Sequence, residues 1–553
     1  MLAVVATSAR GATALQKKWS LVAAILGSSI VFLDSTVVNV ALPKIGTDLH
    51  SSLFGRLEAQ TYVYAAYLLS LSALLILAGA LSDYYGRRRM FLLGLVGFGA
   101  TSLLCGLAWN MEALILFRIL QGAAGALLVP GSLAIINSTF DGPEQGRAFG
   151  IWAGASAATT TLGPFVGGLL VDSISWRTAF LINVPLVVAG IYLTTGYVQE
   201  SRDEESTGSF DYVGAGIIVL AVGGLVFGVI RGQQHEWHDG VAFISLAIGA
   251  LATVALPIEM LRAKHPLVPP ELFRSRNFTV TNISTLVIYG ALYVLFLFVV
   301  IFAEGTLGYN AAAAGLIGLP VGVMLALLSP RFGKLAAERG SRPFMTVGPA
   351  LMGLAVLWLT RLPAASQAWA FGTGVGERLL PPVAYWKDLF PMYVLFAFGL
   401  TMMVAPLTST LMASIPKHNS GVGSAVNNAI SRVGPQLAGA GIYVAIVSSF
   451  YHGLSTRIPG LQTGSQAFRE RIPPLNRPPH VSPALDSAIR ASSTHSFHIA
   501  VAIAAALLFV GAITNGVGIR NTPPEVEPAE IVPPAVHQRP PAVGTVSDPA
   551  PAT

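Results

Sequence analysis

Two ionisable residues stand inside long apolar segments of this 553-residue chain: Asp34 in the run 20–42 and Arg118 in the run 112–136. A charge at the centre of a bilayer costs about 2.5–3.5 kcal/mol on insertion scales, so such residues usually face a cavity and serve transport. A low dielectric favours the neutral form of a carboxyl group, which suits a group that takes up and releases a proton. Asp34 and Arg118 are therefore candidates for handling protons or substrate.

Each of these residues also has a structural interpretation. Asp34 would then be a carboxylate paired with a neighbouring helix. Arg118 lies only some six residues into its run, so its long side chain could extend to the membrane interface. Glu304, at the end of the run 278–303, fits a solvated interfacial glutamate and a second protonatable site equally well.

The composition predicts that these residues sit in a membrane. The chain is 53% hydrophobic and 11% charged, with a mean hydropathy of +0.64, whereas soluble domains carry about 25% charged residues. A soluble protein of this composition would expose large apolar patches. The net charge of +6 is scattered over short loops, as membrane topology requires, and does not indicate nucleic-acid binding. The single cysteine, Cys105, excludes an intramolecular disulfide.

Apolar runs long enough to span a bilayer recur along the chain, because a spanning helix needs about 20 apolar residues. The sequence predicts fourteen spans, near 20–42, 61–82, 90–109, 112–136, 148–171, 178–197, 213–231, 241–262, 278–303, 311–332, 344–361, 389–413, 422–450 and 498–518. Basic residues before the first run and between later runs predict that both termini are cytoplasmic in the inner (plasma) membrane. The fold class expected is an all-α polytopic membrane protein.

An internal repeat predicts a duplicated architecture. The segments 79–88 and 333–342 both have glycines seven apart, a leucine two residues after the first glycine, and arginine nearby; the second has Ala337 where the first has Asp83. Repeats in two halves are typical of transporters. The predicted domains are a cytoplasmic tail at 1–18, a six-helix half at 19–197, a linker with two extra membrane helices at 198–277, a six-helix half at 278–518 with a long outer loop at 451–497 that lacks its own packed core, and a disordered cytoplasmic tail at 519–553.

The first repeat carries the most specific motif: Gly79, Asp83, Gly86, Arg87 and Arg88. Glycines permit a tight turn and close helix contact, and Asp83 can pair with arginines across the loop. This segment resembles the loop signature of the major facilitator superfamily. The resemblance implies two six-helix bundles and a cytoplasmic latch for the conformational switch. The alternative is a generic positive loop that contains glycine.

Small residues in the fifth span form a second motif. Small residues four apart let helices approach closely, and proline kinks a helix. The segment looks like the antiporter motif that accompanies exporters in the superfamily, although ordinary packing would explain its first two glycines. Its positions are Gly150, Gly154, Gly163, Pro164, Gly167 and Gly168.

Further segments resemble the fourteen-helix drug:proton antiporters of the EmrB/QacA type. The segment 32–43 resembles their first helix, and 117–126 resembles the superfamily's fourth-helix motif, with Arg118 inside a membrane helix. Departures include Glu304, where the family usually has glutamine. The other motif positions are Thr36, Asn39, Pro43, Gln121, Gly122, Asn183, Pro185 and Pro406.

The resemblance implies a proton-coupled antiporter that exports small lipophilic or amphipathic compounds by alternating access. The sequence has no phosphate-binding Gly-x-x-x-x-Gly-Lys-Ser/Thr loop and no His-Glu-x-x-His metal motif, so we expect no enzyme activity, no metal and no cofactor beyond the proton gradient.

Expected partners are the lipid bilayer, protons, a lipophilic substrate and, as an open alternative, a periplasmic adaptor. Two alternatives remain: a dedicated exporter of one metabolite, such as a siderophore or an amino-acid derivative, and a non-transporting sensor or scaffold.

Overall fold

The computed structural model describes residues 13–52, 56–201, 211–234, 237–372, 374, 376–478 and 481–521. Within these ranges every regular element is helical. Most of the two predicted tails, residues 1–12 and 522–553, lies outside the described residues.

The helices follow the apolar runs of the sequence. In chain order they are α1 Ala14–Asp48, α2 Arg56–Tyr85, α3 Arg87–Gly106, α4 Met111–Ala126, α5 Leu128–Thr139, α6 Gly142–Ser173, α7 Thr178–Leu181, α8 Asn183–Tyr197, α9 Tyr212–Gln234, α10 Gly240–Arg262, α11 Glu271–Arg274, α12 Arg276–Phe302, α13 Ala311–Leu316, α14 Leu319–Arg339, α15 Arg342–Trp358, α16 Phe390–Ala413, α17 Ser420–Arg457, α18 Gln466–Arg471 and α19 Pro483–Gly518. Helix α1 begins before its apolar run, because Thr13 and Gln16 form a reciprocal capping box at its start.

The described helices confirm the predicted membrane fold. Thirteen are long and apolar enough to cross a bilayer, and the bent pair 142–160 and 165–171 in α6 makes a fourteenth span if it is counted as one. Its two parts meet at 42°, at the position of Pro164, where a proline-induced bend is expected. The chain is a multi-pass α-helical membrane protein.

Two of the helix pairs that connect the early and late parts of the chain are the most extensive. Helix α2 packs against α17, and α6 packs against α14. The additional helices α9 and α10 pack against each other, and α9 also contacts α2 and α17. One large apolar cluster is built from residues between 288 and 519, and a second joins residues of 23–278 to residues of 411–429. The assignment of domain boundaries at 198 and 278 stays a prediction.

The segment 451–497 differs from the expectation that it has no packed core. Helix α17 continues to Arg457, α18 follows, and α19 begins at Pro483. The Tyr451 hydroxyl donates to the Ile472 carbonyl over 3.1 Å. The expectation was wrong because the flanking helices extend past their apolar runs and bring scattered apolar side chains together in a small buried cluster. The cluster consists of Phe450, Tyr451, Leu454, Ile472, Ala488 and Ile489.

Candidate functional site

Asp34 and Arg118 form an ion pair between α1 and α4. Both side chains have zero exposure, and Arg118 Nη1 lies 2.5 Å from Asp34 Oδ2. The structure therefore places Arg118 in the protein interior and not at the membrane interface. Because Asp34 and Arg118 are each other's counterion, removing one of these side chains would leave the charge of the other buried without a counterion.

Two amides hold the other oxygen of the Asp34 carboxylate. Gln121 Nε2 donates to Asp34 Oδ1 over 3.1 Å and Asn183 Nδ2 donates to the same atom over 3.0 Å. Gln121 follows Arg118 by three residues on α4, so both side chains lie on one helix face. Asn183 begins α8 and also donates to the Ser102 hydroxyl over 3.0 Å. The carboxylate thus accepts hydrogen bonds from three different side chains.

Arg118 is fixed by more than its carboxylate partner. Its Nη1 donates to Gln121 Oε1 over 2.8 Å, and its Nε donates to the Val63 carbonyl over 3.2 Å. The guanidinium carbon lies 4.0 Å from the centroid of the Tyr67 ring, within cation–π range. Gly122 makes this packing possible: a Cβ there would lie 2.4 Å from the Tyr67 carbonyl oxygen. Tyr67 is a site residue that the sequence interpretation missed, since a tyrosine in an apolar helix gives no distinctive signal.

The antiporter-like motif of α6 contacts two different helices. A Cβ at Gly150 would lie 2.7 Å from the Ser329 carbonyl oxygen of α14, and one at Gly154 would lie 3.1 Å from Ala326 Cα. One at Gly163 would instead lie 1.9 Å from Thr36 Oγ1 of α1. Helix α6 therefore packs against both α1, which carries Asp34, and α14, and the close approach requires glycine at these contact positions.

Gly167 extends the contact of α6 with α1, since a Cβ there would lie 3.0 Å from a methyl carbon of Val37. Pro185 lies in the first turn of α8, and Pro406 is buried inside α16. Four further motif positions, Asn39, Pro43, Pro164 and Gly168, lie outside the part of the structure whose side-chain surroundings are described.

Asp83 joins α2 to the start of α17. Its carboxylate accepts from the amides of Gly421 and Val422 over 3.0 and 2.9 Å. Arg87 Nη2 donates to Asp83 Oδ1 over 3.0 Å and to the His418 carbonyl over 3.3 Å. The first amides of a helix have no intrahelical acceptor and carry a partial positive charge. We call this set of five residues the Asp83 clamp.

The remaining residues of the 79–88 motif shape the backbone around the clamp. A Cβ at Gly79 would lie 2.5 Å from the Gly421 carbonyl oxygen, so only glycine allows this approach of α2 and α17. Gly86 has φ +106°, in the region that favours glycine. Arg88 is not part of the clamp; its Nη2 donates to the Thr195 carbonyl of α8 over 2.7 Å.

Glu304 lies apart from both clusters. It is in a π-helical turn, Ala303–Leu307, that follows α12, and its side chain is exposed. The structure does not bring it to Asp34 or to Arg118. Its role as a second protonatable site stays a prediction.

Arg432 is a second residue that the sequence interpretation missed. It lies in α17, inside the apolar run 422–450, and is half-buried. An arginine within a membrane-spanning run is the signal that identified Arg118, and the same signal would have found Arg432.

Fourteen candidate spans, a carboxylate–guanidinium pair buried between them and a charged clamp between early and late helices define a polytopic protein with the architecture of a transporter. The family model of the Major Facilitator Superfamily matches residues 24–439, about three quarters of the chain. The protein belongs to the major facilitator superfamily.

Curated relatives cover similar shares of the chain. The multidrug resistance protein Stp of Mycobacterium tuberculosis (strain CDC 1551 / Oshkosh) is 30% identical over 75% of this chain and 73% of its own length. The tetracenomycin C resistance and export protein of Streptomyces glaucescens is 31% identical over 78% and 76%. The puromycin resistance protein of Streptomyces alboniger is 32% identical over 76% and 80%.

Solved structures agree on the fold. The human organic anion transporter MFSD10 (TETRAN) superposes with a TM-score of 0.57 at 13% identity, over 90% of this chain and 99% of that one. The proton:xylose symporter XylE gives a TM-score of 0.54 at 15% identity, over 90% and 95%. At these identities the likeness concerns the fold alone.

Proposed function

We propose that this protein is a proton-coupled antiporter that exports small lipophilic or amphipathic compounds, drugs among them. The observation that carries the proposal is the fully buried Asp34–Arg118 pair, an ionisable couple in the interior of a membrane protein. The names of the relatives, which refer to multidrug resistance and to resistance against single antibiotics, support export as the direction. We further infer that the chain has no enzyme activity.

Protonation of Asp34 would remove the negative charge that Arg118, Gln121 and Asn183 stabilise. The ion pair between α1 and α4 would then lose its Coulomb attraction, while Arg118 would remain charged and need a new partner. Helix α1 also packs on Gly163 of α6, and α6 contacts α14 through Gly150. A change at Asp34 therefore has a continuous set of packed helices through which it can reach the other half.

The Asp83 clamp lies at the end of the bundle that we assign to the cytoplasm. Arg87, Arg88 and Arg89 at this end of the bundle favour the cytoplasmic side, and so do Arg339 and Arg342. Both termini would then be cytoplasmic, in the inner membrane. In this conformer the clamp and the contact of α6 with α14 hold that end closed, and substrate entry from the cytoplasm requires the clamp to open. The membrane potential supplies about 2.3 kcal/mol per charge per 100 mV to drive such a cycle.

The test of this function is efflux by inverted membrane vesicles with an imposed proton gradient. Wild-type protein should accumulate a lipophilic dye in the lumen, and an uncoupler should abolish the accumulation. Asp34→Asn should lower gradient-driven uptake at least tenfold, because the amide cannot exchange a proton. Glu338→Gln, which neutralises an exposed carboxylate at 45% exposure, is the matched control and should behave as wild type. Undiminished coupled uptake by Asp34→Asn would contradict the role given to Asp34.

A dedicated exporter of one compound is the second candidate, since two relatives are named for a single antibiotic each. Competition between several unrelated dyes for uptake separates the two. Broad mutual inhibition indicates multidrug export, and its absence indicates a dedicated cavity.

A further inference from the structure

Arg432 is a charged residue of the α17 span for which the described residues provide no counterion. It makes no hydrogen bond and no ion pair with any residue in the described part of the chain. The arginines that are fully buried among the described residues, Arg87 and Arg118, each have a carboxylate partner. An uncompensated cation inside a membrane protein is costly and usually marks a substrate or ion pathway.

The packing of α17 determines which way Arg432 points. Gly421 and Ala425 face Gly79 of α2, and Arg432 lies seven residues after Ala425, two helical turns further on the same face. It is therefore about 15 Å deeper in the bundle than Val422 of the Asp83 clamp.

The opposite face of α17 is occupied by another helix. A Cβ at Gly434 would lie 2.5 Å from the Leu286 carbonyl oxygen of α12. Two residues along a helix correspond to a rotation of about 200°, so Arg432 points away from α12 and toward α2. The side chain thus faces the boundary between the two halves.

Tyr67 of α2 connects this arginine to the coupling site. Helices α2 and α17 run antiparallel from the contact of Gly79 with Gly421, so Arg432, eleven residues along α17, lies level with the turn of α2 that carries Tyr67. The Tyr67 ring lies on the Arg118 guanidinium, 4.0 Å from ring centroid to carbon. Tyr67 therefore neighbours two cations. Asp34 already compensates Arg118, so the positive charge of Arg432 remains available to a ligand.

The chemistry of guanidinium selects the ligand. Its planar fork of donors matches carboxylate and similar oxyanions in a bidentate way, and its face stacks on aromatic rings. We propose that Arg432 is a specificity-determining residue that binds the anionic group, above all a carboxylate, of amphipathic substrates. This inference rests on the proposed export function and adds the substrate class to it: aromatic or apolar compounds that carry one or more negative charges.

The experiment compares two dyes with one xanthene scaffold and opposite charge, fluorescein and rhodamine 123. Uptake into inverted vesicles under a proton gradient is quantified by mass spectrometry for wild type, Arg432→Gln, Arg432→Lys and the control Arg331→Gln, which removes an exposed arginine at the end of the bundle that carries the Asp83 clamp. We expect the KM for fluorescein to rise about tenfold or more in Arg432→Gln, as expected for loss of a charge-assisted hydrogen bond. Transport of rhodamine 123 should stay within twofold of wild type, which also shows that the variant folds. Arg432→Lys should recover part of the fluorescein transport, and Arg331→Gln should match wild type.

Four outcomes would overturn the inference. Equal loss of both dyes in Arg432→Gln would assign the residue to coupling or structure instead of specificity. Unchanged fluorescein transport in Arg432→Gln would mean that the arginine does not contact substrate. If wild type exports rhodamine 123 but not fluorescein, the anionic class is wrong although the export function stands. If neither dye moves in response to the gradient, the proposed function itself fails, and the inference fails with it.

Discussion

The two copies of the glycine repeat, 79–88 and 333–342, build the same backbone and differ in their charges. In each copy the first glycine meets a helix of the other half: a Cβ at Gly79 would lie 2.5 Å from the Gly421 oxygen, and one at Gly333 would lie 2.3 Å from the Gly146 oxygen. In each copy the second glycine has positive φ, +106° at Gly86 and +88° at Gly340. The glycine spacing therefore encodes a common geometry.

The arginine that ends each copy also has the same task. The Arg88 amide donates to Glu200 Oε1 over 3.0 Å, and the Arg342 amide donates to Asn521 Oδ1 over 3.0 Å. Arg88 also donates to a carbonyl in the last turn of α8, and Arg342 Nε donates to the Gly516 carbonyl in the last turn of α19 over 2.7 Å. Cationic groups stabilise the carbonyl end of a helix. Each copy thus attaches its turn to the last helix of its own half.

Only the first copy has a carboxylate that crosses to the other half, and the start of the facing helix gives the reason. Helix α17 begins at Ser420, so the amides of Gly421 and Val422 are free to donate to Asp83. Helix α6 begins at Gly142, four residues before Gly146, so the Gly146 amide already has a carbonyl four residues earlier. A carboxylate at Ala337 would find no free donors there. The alanine at position 337 is therefore consistent with the position at which α6 begins.

The largest expected effect comes from the feature that the copies share. Gly79→Ala and Gly333→Ala should each lower proton-driven dye uptake by an order of magnitude or more, because the added methyl would meet backbone oxygen at 2.5 and 2.3 Å and separate the halves. Gly441→Ala is the control, since a Cβ there meets nothing within 4 Å. Vesicle uptake normalised to protein amount measures the effect. Normal transport by either variant would refute a shared steric role.

An intermediate effect is expected from the feature that distinguishes the copies. Asp83→Asn should reduce uptake roughly tenfold, because the amide keeps one acceptor oxygen but leaves the buried Arg87 without a counterion. The population open at this end should also rise. Thiol labelling of a cysteine introduced next to the clamp, in a Cys105→Ser background, measures this opening. Labelling that does not increase would show that Asp83 contributes nothing to closure.

The smallest effect is expected from copying the charge into the second repeat. Ala337 is exposed, so Ala337→Asp should change uptake by less than twofold, since the new carboxylate stays in water and finds no free helix amides. The double variant Asp83→Asn/Ala337→Asp should transport no better than Asp83→Asn. Rescue in the double variant would mean that the two copies are interchangeable, contrary to the difference in helix starts.

Much of this architecture could be predicted from the sequence. Runs of about 20 apolar residues determine where helices cross a membrane, and the glycine spacing of the repeat predicted a duplicated architecture with tight turns and close helix contact, without the partner helices. The positions of Asp34 and Arg118 stood out because charge is rare in such runs, and Asp83 stood out through the repeated glycine motif. The segment 451–497 was misjudged because a short apolar cluster between charged residues has no periodicity to reveal it.

Which residues meet was decided by the tertiary structure alone. Asp34 accepts from Asn183, 149 residues away, and Asp83 accepts from Gly421, 338 residues away. The glycines of the antiporter-like motif contact both α1 and α14 only because α6 passes between these two helices. The local sequence determines which helix face a residue occupies, since the 3.6-residue period is a property of the backbone. The partner of that face depends on the packing of helices far apart in the chain, which no local spacing encodes.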